Sequence, residues 1–391
     1  MRACLLAKLA AAAAGVTVGL AGLSFLPAQA GAAQLATAAA TTRETTARPA
    51  AATYRAAGAL DGVAAASASS AWAVGYAGSE SDRKLLMLHW NGKSWTRVTS
   101  PKILDGTAGA LSAITVDSAK DAWAVGTTGS GFGHALLLHW NGVAWSQVTN
   151  VAGIGGGLYG VTATASSGWA VGVNLTSTVI APLVLHWNGK AWSRASTKLN
   201  PSTQGEGILT GVAVTGAKTA WAVGYTSQGI PNAVLARWNG STWSTDTSFP
   251  FNGPSQRSLY GVATGPGGTA FAVGSGETGS FGNGSSVPIS MRWNGKTWQN
   301  AAVTASKNSQ FSAVAFAPGG TGWATGYKYT SATATSGLIW RWTGKNWASV
   351  AVPGGASQLS GLGFAAAGNG WAVGASGTDT LILHWNGHSW S

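Results

Sequence analysis

Two short motifs recur seven times along this chain, and few folds are open to a chain built that way. The first, Trp-Ala-Val-Gly, begins at Trp72, Trp123, Trp169, Trp221 and Trp371, with Phe-Ala-Val-Gly at Phe271 and Trp-Ala-Thr-Gly at Trp323. Successive copies lie 46 to 52 residues apart. The second, [His or Arg]-Trp-[Asn or Thr]-Gly-x-x-Trp, follows each copy of the first. Its tryptophans pair as Trp90 with Trp95, Trp140 with Trp145, Trp187 with Trp192, Trp238 with Trp243, Trp293 with Trp298, Trp342 with Trp347 and Trp385 with Trp390. With Phe271 in one place, the repeat positions use 20 of the 21 tryptophans and leave Trp340 as the extra one.

Each copy opens on a Leu/Phe-x-Gly/Ala-hydrophobic step, as in Leu60-Asp61-Gly62-Val63. Every unit therefore reads as four short strands, A to D; in the first they fall near 60–66, 71–76, 84–90 and 94–98. Turn signals separate them and no stretch has helical periodicity. Seven four-stranded units of this length predict an all-β, seven-bladed β-propeller with four antiparallel strands per blade. A solenoid shares the period but needs divergent capping units, and neither end diverges. The predicted blades are 60–103, 104–152, 153–202, 203–250, 251–303, 304–353 and 354–391. The last is short of an outer strand, so residues 53–57 are expected to complete it and close the ring, removing open sheet edges.

Strand B puts Trp72 and Val74 on one face and Ala71, Ala73 and Gly75 on the other. The large face of one blade should stack on the small face of the next. Six of the seven C–D connections contain Asn-Gly, a strong hairpin signal, and Thr343-Gly344 is the exception. Trp90 and Trp95 then emerge on one face as cross-strand neighbours. Nearly all the tryptophans thus read as structural.

Residues 1–30 have the layout of a secretory signal: Arg2 and Lys8, an apolar run from Leu9 to Leu26, and Ala28-Gln29-Ala30 as a cleavage site. An uncleaved anchor is the alternative, because the run approaches membrane-spanning length. Residues 31–52, rich in Ala and Thr, read as a flexible linker leading to a propeller at 53–391. The single cysteine, Cys4, would leave with the signal, excluding disulfides, thiol nucleophiles and cysteine-held metal from the mature chain. Without Arg2 and Lys8 the chain has 21 basic and 11 acidic residues, a formal +10. That charge suits anionic partners such as cell-wall polymers, although no basic run exceeds two residues. Export argues against nucleic acid, and no membrane contact is expected after cleavage.

The candidates for chemistry are sparse. His89, His139, His186, Arg237, Arg292, Arg341 and His384 precede the second-motif tryptophans. One per blade on strand C, they lie too far apart to share an ion. They read as polar caps on the indole N–H or the backbone, or as a basic rim, so no metal or cofactor is expected. The second residue of strand A is Asp61, Ser112, Tyr159, Thr210, Tyr260, Ser312 or Ser360. These seven should ring the mouth of the central channel, facing either ligand or trapped water. The B–C and D–A loops vary in length and share one end, the expected binding face. Tyr76, Tyr225, Tyr327 and Tyr329 begin its B–C loops, with Lys328 between the last two. Exposed, such rings make platforms for a sugar; Trp340 is either another platform or a filler of blade 6. The ligand-binding candidates are therefore Asp61, Tyr76, Tyr159, Tyr225, Tyr260, Tyr327, Tyr329 and Trp340. No carboxylate pair suggests a glycosidase, and Glu80-Ser81-Asp82-Arg83-Lys84 reads as a solvated loop.

Asn-Gly-x-x-Trp resembles the end of the sialidase Asp-box, but Trp90 and its equivalents replace the Asp and no arginine cluster accompanies it. Trp-Asp dipeptides are absent, unlike in WD40 repeats. The whole of 55–391 looks most like secreted bacterial propellers with Trp-Ala-Val-Gly and His-Trp-Asn-Gly-x-x-Trp repeats. Among these it is similar to the lectin-type propeller subunits of umbrella toxin particles, which are secreted antibacterial assemblies. That resemblance implies binding of a target-cell surface glycan and docking to a protein adaptor. The expected function is accordingly that of a secreted, extracellular, non-catalytic lectin-like protein. The alternatives are a protein–protein interaction scaffold and, more remotely, a polysaccharide hydrolase or lyase.

Overall fold

A computed structural model describes residues 54–79, 81–129, 133–175, 180–199, 207–216, 218–226, 231–246, 256–278, 285–303, 307–331 and 334–391. The expected signal and linker, and Thr53 of the closing segment, lie outside these residues. The described chain folds into seven antiparallel sheets in a ring, a seven-bladed β-propeller. Its only helical turns among the described residues are Lys102–Leu104 and Pro266–Gly268, each of three residues. In blade 1 the strands are A, Gly58–Ser67; B, Ser70–Ala77; C, Lys84–Trp90; and D, Trp95–Val98. The innermost strands of the other blades are Gly109–Ser118, Gly156–Ala163, Gly207–Gly216, Gln256–Thr264, Ser309–Phe316 and Gln358–Ala366. Blades 4 and 6 gain a fifth, parallel strand that the repeat pattern does not predict. Thr197–Lys198 and Ala302–Val303, from the preceding linkers, lie along the D strands of the next blades.

The tryptophans hold neighbouring blades together. The strand-B aromatic of each blade enters the next blade and meets its C- and D-strand indoles. Trp72 lies 5.0 Å from Trp140 and 5.1 Å from Trp145, at 89° to the latter. Trp123 meets Trp187 at 4.9 Å and Trp192 at 5.4 Å, and Trp169 meets Trp238 at 4.8 Å and Trp243 at 5.1 Å. Trp221 does the same with Trp293 and Trp298, and Phe271 with Trp342 at 4.9 Å and Trp347 at 5.0 Å. Trp323 lies 4.9 Å from Trp385 and 5.8 Å from Trp390. Trp371 closes the circle against Trp90 at 4.8 Å and Trp95 at 5.1 Å. The edge-on approach to the D-strand indole sets the positive rim of one ring against the negative face of another. Ala122 and Ala124, the small face of strand B in blade 2, complete the pocket for Trp72.

The two indoles of each hairpin differ in their surroundings. Those of strand C lie nearer the surface, Trp140, Trp187, Trp238 and Trp342 being partly exposed, and the A–B turn ties several of them down, as where Trp90 Nε1 donates to Ala68 O at 3.0 Å and Trp140 Nε1 to Ala119 O at 3.1 Å. Those of strand D are the inner members of the triads. Trp192, Trp243, Trp347 and Trp390 are all buried, and Trp243 and Trp347 entirely so. Trp347 Nε1 donates to Ser290 Oγ at 2.8 Å. The Nε1 groups of Trp192, Trp243 and Trp390 have no hydrogen-bond partner among the described residues, so these indoles are held by ring packing alone.

Phe271 and Trp340 explain each other. Both lie in the seam between blades 5 and 6, where Phe271 leaves a tryptophan's space partly unfilled. Trp340 and Phe311 occupy the positions held in blade 1 by Leu88 and Leu60, and their rings meet at 4.5 Å. A small-for-large exchange on one side of the seam is thus matched by two large-for-small exchanges on the other. Phe271→Trp alone is expected to overpack and cost about 1–3 kcal/mol. Adding Trp340→Leu should recover most of that loss in chemical denaturation, and additive losses would show the two sites to be independent.

The C–D connections are four-residue turns pinned by the asparagine. Asn91 Oδ1 accepts N–H bonds from Lys93 at 2.9 Å and Ser94 at 3.0 Å. Trp90 and Trp95 are consequently opposed directly across the hairpin. In blade 6 Thr343 Oγ1 takes the same role, accepting the Asn346 N–H at 3.1 Å, which accounts for the one exception.

Every A strand carries a β-bulge at its second motif residue. The register skips Asp61 between Leu60 and Gly62, and the equivalent residue is skipped in the other six blades. The glycine of Trp-Ala-Val-Gly sits opposite this bulge. A Cβ on Gly75 would collide with the Ala59 carbonyl, and the other six copies are blocked in the same way. The motif's glycine is therefore dictated by backbone approach.

Ring closure follows the expectation. Ala56 O accepts the Thr380 N–H at 2.8 Å, the Gly58 N–H donates to Thr378 O at 2.9 Å, and Arg55 Nε contacts Asp379 Oδ2 at 2.8 Å. At the other end of the same edge Ser391 and His384 exchange two backbone bonds of 2.9 and 3.0 Å. The outer strand of blade 7 is thus assembled from both ends of the described chain.

Candidate functional site

The meander of four strands sends the short A–B and C–D turns to one end of the ring and the longer B–C and D–A loops to the other. At the loop end two clefts occupy equivalent places in blades 1 and 6. Each lies between the start of strand C, the end of strand D and the linker to the next blade. The blade 1 cleft, about 410 Å³, is lined by Lys84, Leu85, Arg97 to Ser100 and Leu104 to Thr107. The blade 6 cleft, about 380 Å³, is lined by Ser336 to Leu338 and Ser349 to Ala356. Both volumes suit a small polar ligand. The blade 1 cleft has a charged wall of mixed sign, Lys84 and Arg97 with Asp105: Lys84 Nζ pairs with Asp82 at 3.0 Å and donates to Gly106 O at 3.2 Å. Arg97 donates to Leu85 O at 3.4 Å.

The seven expected channel residues are the seven bulge residues, all partly exposed. The bulge turns each side chain out of the strand's regular alternation. Thr210 shows where it leads: its hydroxyl, with one proton to donate, lies 2.9 Å from Leu259 O across the seam and 3.2 Å from Val223 O in its own blade. Asp61 is the one acid among them. Its Oδ2 is buried and has no hydrogen-bond partner among the described residues. Burial raises its pKa to about 7, against a smaller opposing pull from Arg83. Arg83 lies 4.7 Å over the ring of Tyr76. Burial also raises the Tyr76 phenol, Asp61 adding to this and Arg83 opposing it.

The candidate tyrosines fall into separate groups. Tyr76 belongs with Asp61 and Arg83. Tyr159 and Tyr225 pack on a small apolar cluster formed by Val173, Leu175, Ile180 and Ile208. Tyr225 meets Tyr260 edge-on at 6.3 Å, and the Tyr260 hydroxyl bonds Ser275 Oγ at 2.9 Å. Burial pushes the Tyr159 phenol up to about 12 and that of Tyr225 higher, so neither ionises near neutral pH. Tyr327 and Tyr329 form a third pair, ring centroids 5.4 Å apart.

Four expectations from the sequence need correction. Tyr76, Tyr225, Tyr327 and Tyr329 lie within B strands, not in loops. Tyr76, 8% exposed, is buried and offers no platform, and neither do Tyr327 at 1% and Trp340 at 2%. The last two serve packing instead, Trp340 as the filler of blade 6. Nor is Arg83 a solvated loop residue. It immediately precedes strand C, whose Leu85 pairs with Tyr76, and that register brings it over the Tyr76 ring.

The fourth concerns the polar residues before the second-motif tryptophans, which cap indole faces, not indole N–H groups. His139 stacks on Trp123 at 4.0 Å and bonds Asp121 at 3.0 Å. Arg237 lies 5.4 Å over Trp221 and Arg341 5.6 Å over Trp323. The register explains this, because each polar residue is the direct cross-strand partner of the strand-B aromatic, as His89 is of Trp72 and Arg292 of Phe271. Burial lowers the pKa of His89 and His186. Among the described residues no group of three His, Cys, Asp or Glu is arranged to hold a metal, and no helix is long and apolar enough to cross a membrane.

No protein-family profile matches the chain, and no curated protein matches it in sequence. Solved structures match the fold. A PL25 ulvan lyase, solved bound to a GlcA(1-4)Rha3S unit, superposes with a TM-score of 0.54 at 8% identity, covering 86% of this chain and 96% of its own. The BP39L lectin of Burkholderia pseudomallei gives 0.53 at 11% identity, covering 86% and 98%. The WD40 propeller domain of Doa1 gives 0.53 at 11% identity, covering 85% and 93%. At these identities the likeness is one of architecture.

Proposed function

We propose that this propeller is a secreted, non-catalytic carbohydrate-binding protein that uses its loop end to recognise a glycan on a cell surface. The observation that carries the reading is the pair of equivalent clefts in blades 1 and 6. Each has the size of a sugar site and a lining shared between hydroxyl and apolar side chains: Ser336 and Ser349 beside Leu338, Val350 and Val352 in blade 6, and Thr99, Ser100 and Thr107 beside Leu85, Val98 and Leu104 in blade 1, where Lys84, Arg97 and Asp105 add charge. Equivalent sites on one rigid ring gain by multivalency, because the second contact is made at high local concentration. The lectin among the similar folds supports a sugar ligand in general terms. The signal-like N-terminus supports export. Docking to a protein adaptor is a further part of the proposal and rests on the motif resemblance alone.

On a glycan array the protein is expected to bind a defined set of sugars, with free sugar competing. Arg97→Ala should weaken binding to sugars held in blade 1 by about tenfold, the equivalent of ~1.4 kcal/mol. Absence of sugar-inhibitable binding across a broad array would overturn the reading.

A polysaccharide-cleaving role has one observation in its favour: the half-buried acid Asp61, its Oδ2 out of contact with solvent, beside Tyr76 and Arg83 in a fold shared with a lyase. It requires that acidic polysaccharides be shortened by the wild type and left intact by Asp61→Asn.

A further inference from the structure

At the opposite end of the ring, the A–B and C–D turns carry one lysine in each of six blades and a histidine in the seventh. Blades 1, 3, 5 and 6 supply it from the third position of the C–D turn, as Lys93, Lys190, Lys296 and Lys345. Blades 2 and 4 have Val143 and Ser241 at that position and supply it instead from the A–B turn, as Lys120 and Lys218. Blade 7 has His388. The two sources are equivalent in space. A Cβ built on Gly142 of the C–D turn would lie 2.9 Å from Lys120 Cβ, and one on Gly240 would lie 3.1 Å from Lys218 Cβ. Where one turn lacks the lysine, the turn packed against it has one.

The fold does not demand these lysines, since Val143 and Ser241 make the same asparagine-pinned turn. All six are exposed, and none forms an ion pair among the described residues. Two carboxylates share their end, and both have partners: Asp117 accepts the Ala165 N–H, and Asp121 holds His139. The other described carboxylates lie at the channel or toward the loop end, where Asp82 and Asp379 are paired with Lys84 and Arg55. The molecule is therefore polarised, with a cationic turn face and a mixed loop face.

We infer that the turn face is a docking surface for an extended anionic polymer, a chain with regularly repeated phosphate or carboxylate groups. Single lysines set one per blade around a rim do not converge on one anion. They suit a chain that meets several in turn, each contact weak and the sum substantial. Nucleic acid fits less well, because among the described residues no aromatic ring stands fully exposed between the cations; the C-strand tryptophans reach the surface only in part and pack in the seams. A bilayer fits less well because Val143 is the one large apolar side chain exposed on these turns among the described residues, too little to insert. This inference is independent of what the loop end binds.

The test compares the full-length protein with two triple variants of equal charge. One carries Lys93→Gln, Lys190→Gln and Lys296→Gln at the turn end; the other carries Lys102→Gln, Lys307→Gln and Lys328→Gln toward the loop end. Binding is measured to polyglycerol phosphate, polygalacturonate, neutral dextran, duplex DNA and phosphatidylglycerol vesicles. The wild type should bind one or both of the first two, and which one identifies the anion. Its affinity should fall about tenfold or more as ionic strength rises from ~0.05 to ~0.2 M. The turn-end variant should bind at least about fivefold more weakly and the loop-end variant within about twofold of wild type, as a face-specific electrostatic contact requires. Matching circular dichroism and thermal melts show that all three are folded. Equal losses in the two variants, no binding to either polymer, or a preference for DNA or vesicles would each overturn the inference.

Discussion

Replacing Trp221 with alanine should lower the unfolding free energy by about 3–5 kcal/mol, the range for deleting a large buried aromatic. Trp221 is fully buried between blades 4 and 5. It meets Trp293 at 4.8 Å and Trp298 at 5.0 Å, the latter edge-on at 84°. Alanine would leave both partners facing a void and uncover Arg237, which caps the indole. Phenylalanine should cost less, since an aromatic ring of that size serves at Phe271, although there Trp340 restores the volume. Urea denaturation monitored by circular dichroism measures both. A loss below about 1 kcal/mol for the alanine variant would mean that the aromatic triads do not hold the seams.

The second large effect is a dependence of stability on pH that runs through one residue. Asp61 has a pKa of about 7 in the folded chain against an ordinary value of 3.8, chiefly because burial disfavours its charge. The folded state therefore holds this proton more tightly than the unfolded state does. Stability from this group is fully present below pH ~4, declines as pH rises toward ~7 and is then lost. The whole span is worth up to roughly 4 kcal/mol, at about 1.4 kcal/mol per unit. Asp61→Asn keeps the shape and removes the titration. The variant should match wild type near pH 4 and exceed it in stability near pH 8, by a few kcal/mol at most. Parallel pH profiles for the two proteins would show that the carboxyl is not desolvated in this way. The six other blades carry hydroxyl residues at this bulge, so the acid is not a requirement of the fold.

Most of the architecture could be read from the repeats because its main contacts repeat with them. The alternation of Trp72, Val74 and the small residues between them is enough to place one blade's indole on the next blade's alanines. The Asn-Gly turn sets the direct opposition of Trp90 and Trp95. What the pattern leaves open is the division of labour within a hairpin. Trp192, Trp243, Trp347 and Trp390 look equivalent to their C-strand partners in sequence, yet only these D-strand rings are the inner members of their triads. Features that belong to a single seam were harder to read. Trp340 stands outside the repeat pattern because its counterpart, Phe271, lies 69 residues earlier and becomes relevant only once blades 5 and 6 face each other. The place of Arg83 over Tyr76 depends on strand register, which composition does not convey. The bulge at Asp61 was hidden for a similar reason: one extra residue re-aims a side chain without altering the hydrophobic pattern around it. The two clefts arise where linkers of irregular sequence cross strand ends, and no motif marks such crossings. Pattern does reveal the lysines of the turn end, but only when the A–B and C–D turns are known to touch.

The two ends of the ring thus differ in kind. The loop end has shaped clefts and mixed charge, suited to a particular sugar; the turn end has dispersed cations, suited to a polymer of any sequence. The central claim is that the loop end recognises a glycan without cleaving it. Hydrogen–deuterium exchange with the oligosaccharide that binds best on the array tests this most directly. The account predicts slowed exchange at residues 83–85 and 97–107 of blade 1 or 336–338 and 349–356 of blade 6, unchanged exchange at the turns around 91–94 and 188–191, and recovery of the sugar intact. Protection confined to those turns, or recovery of a shortened sugar, would contradict it.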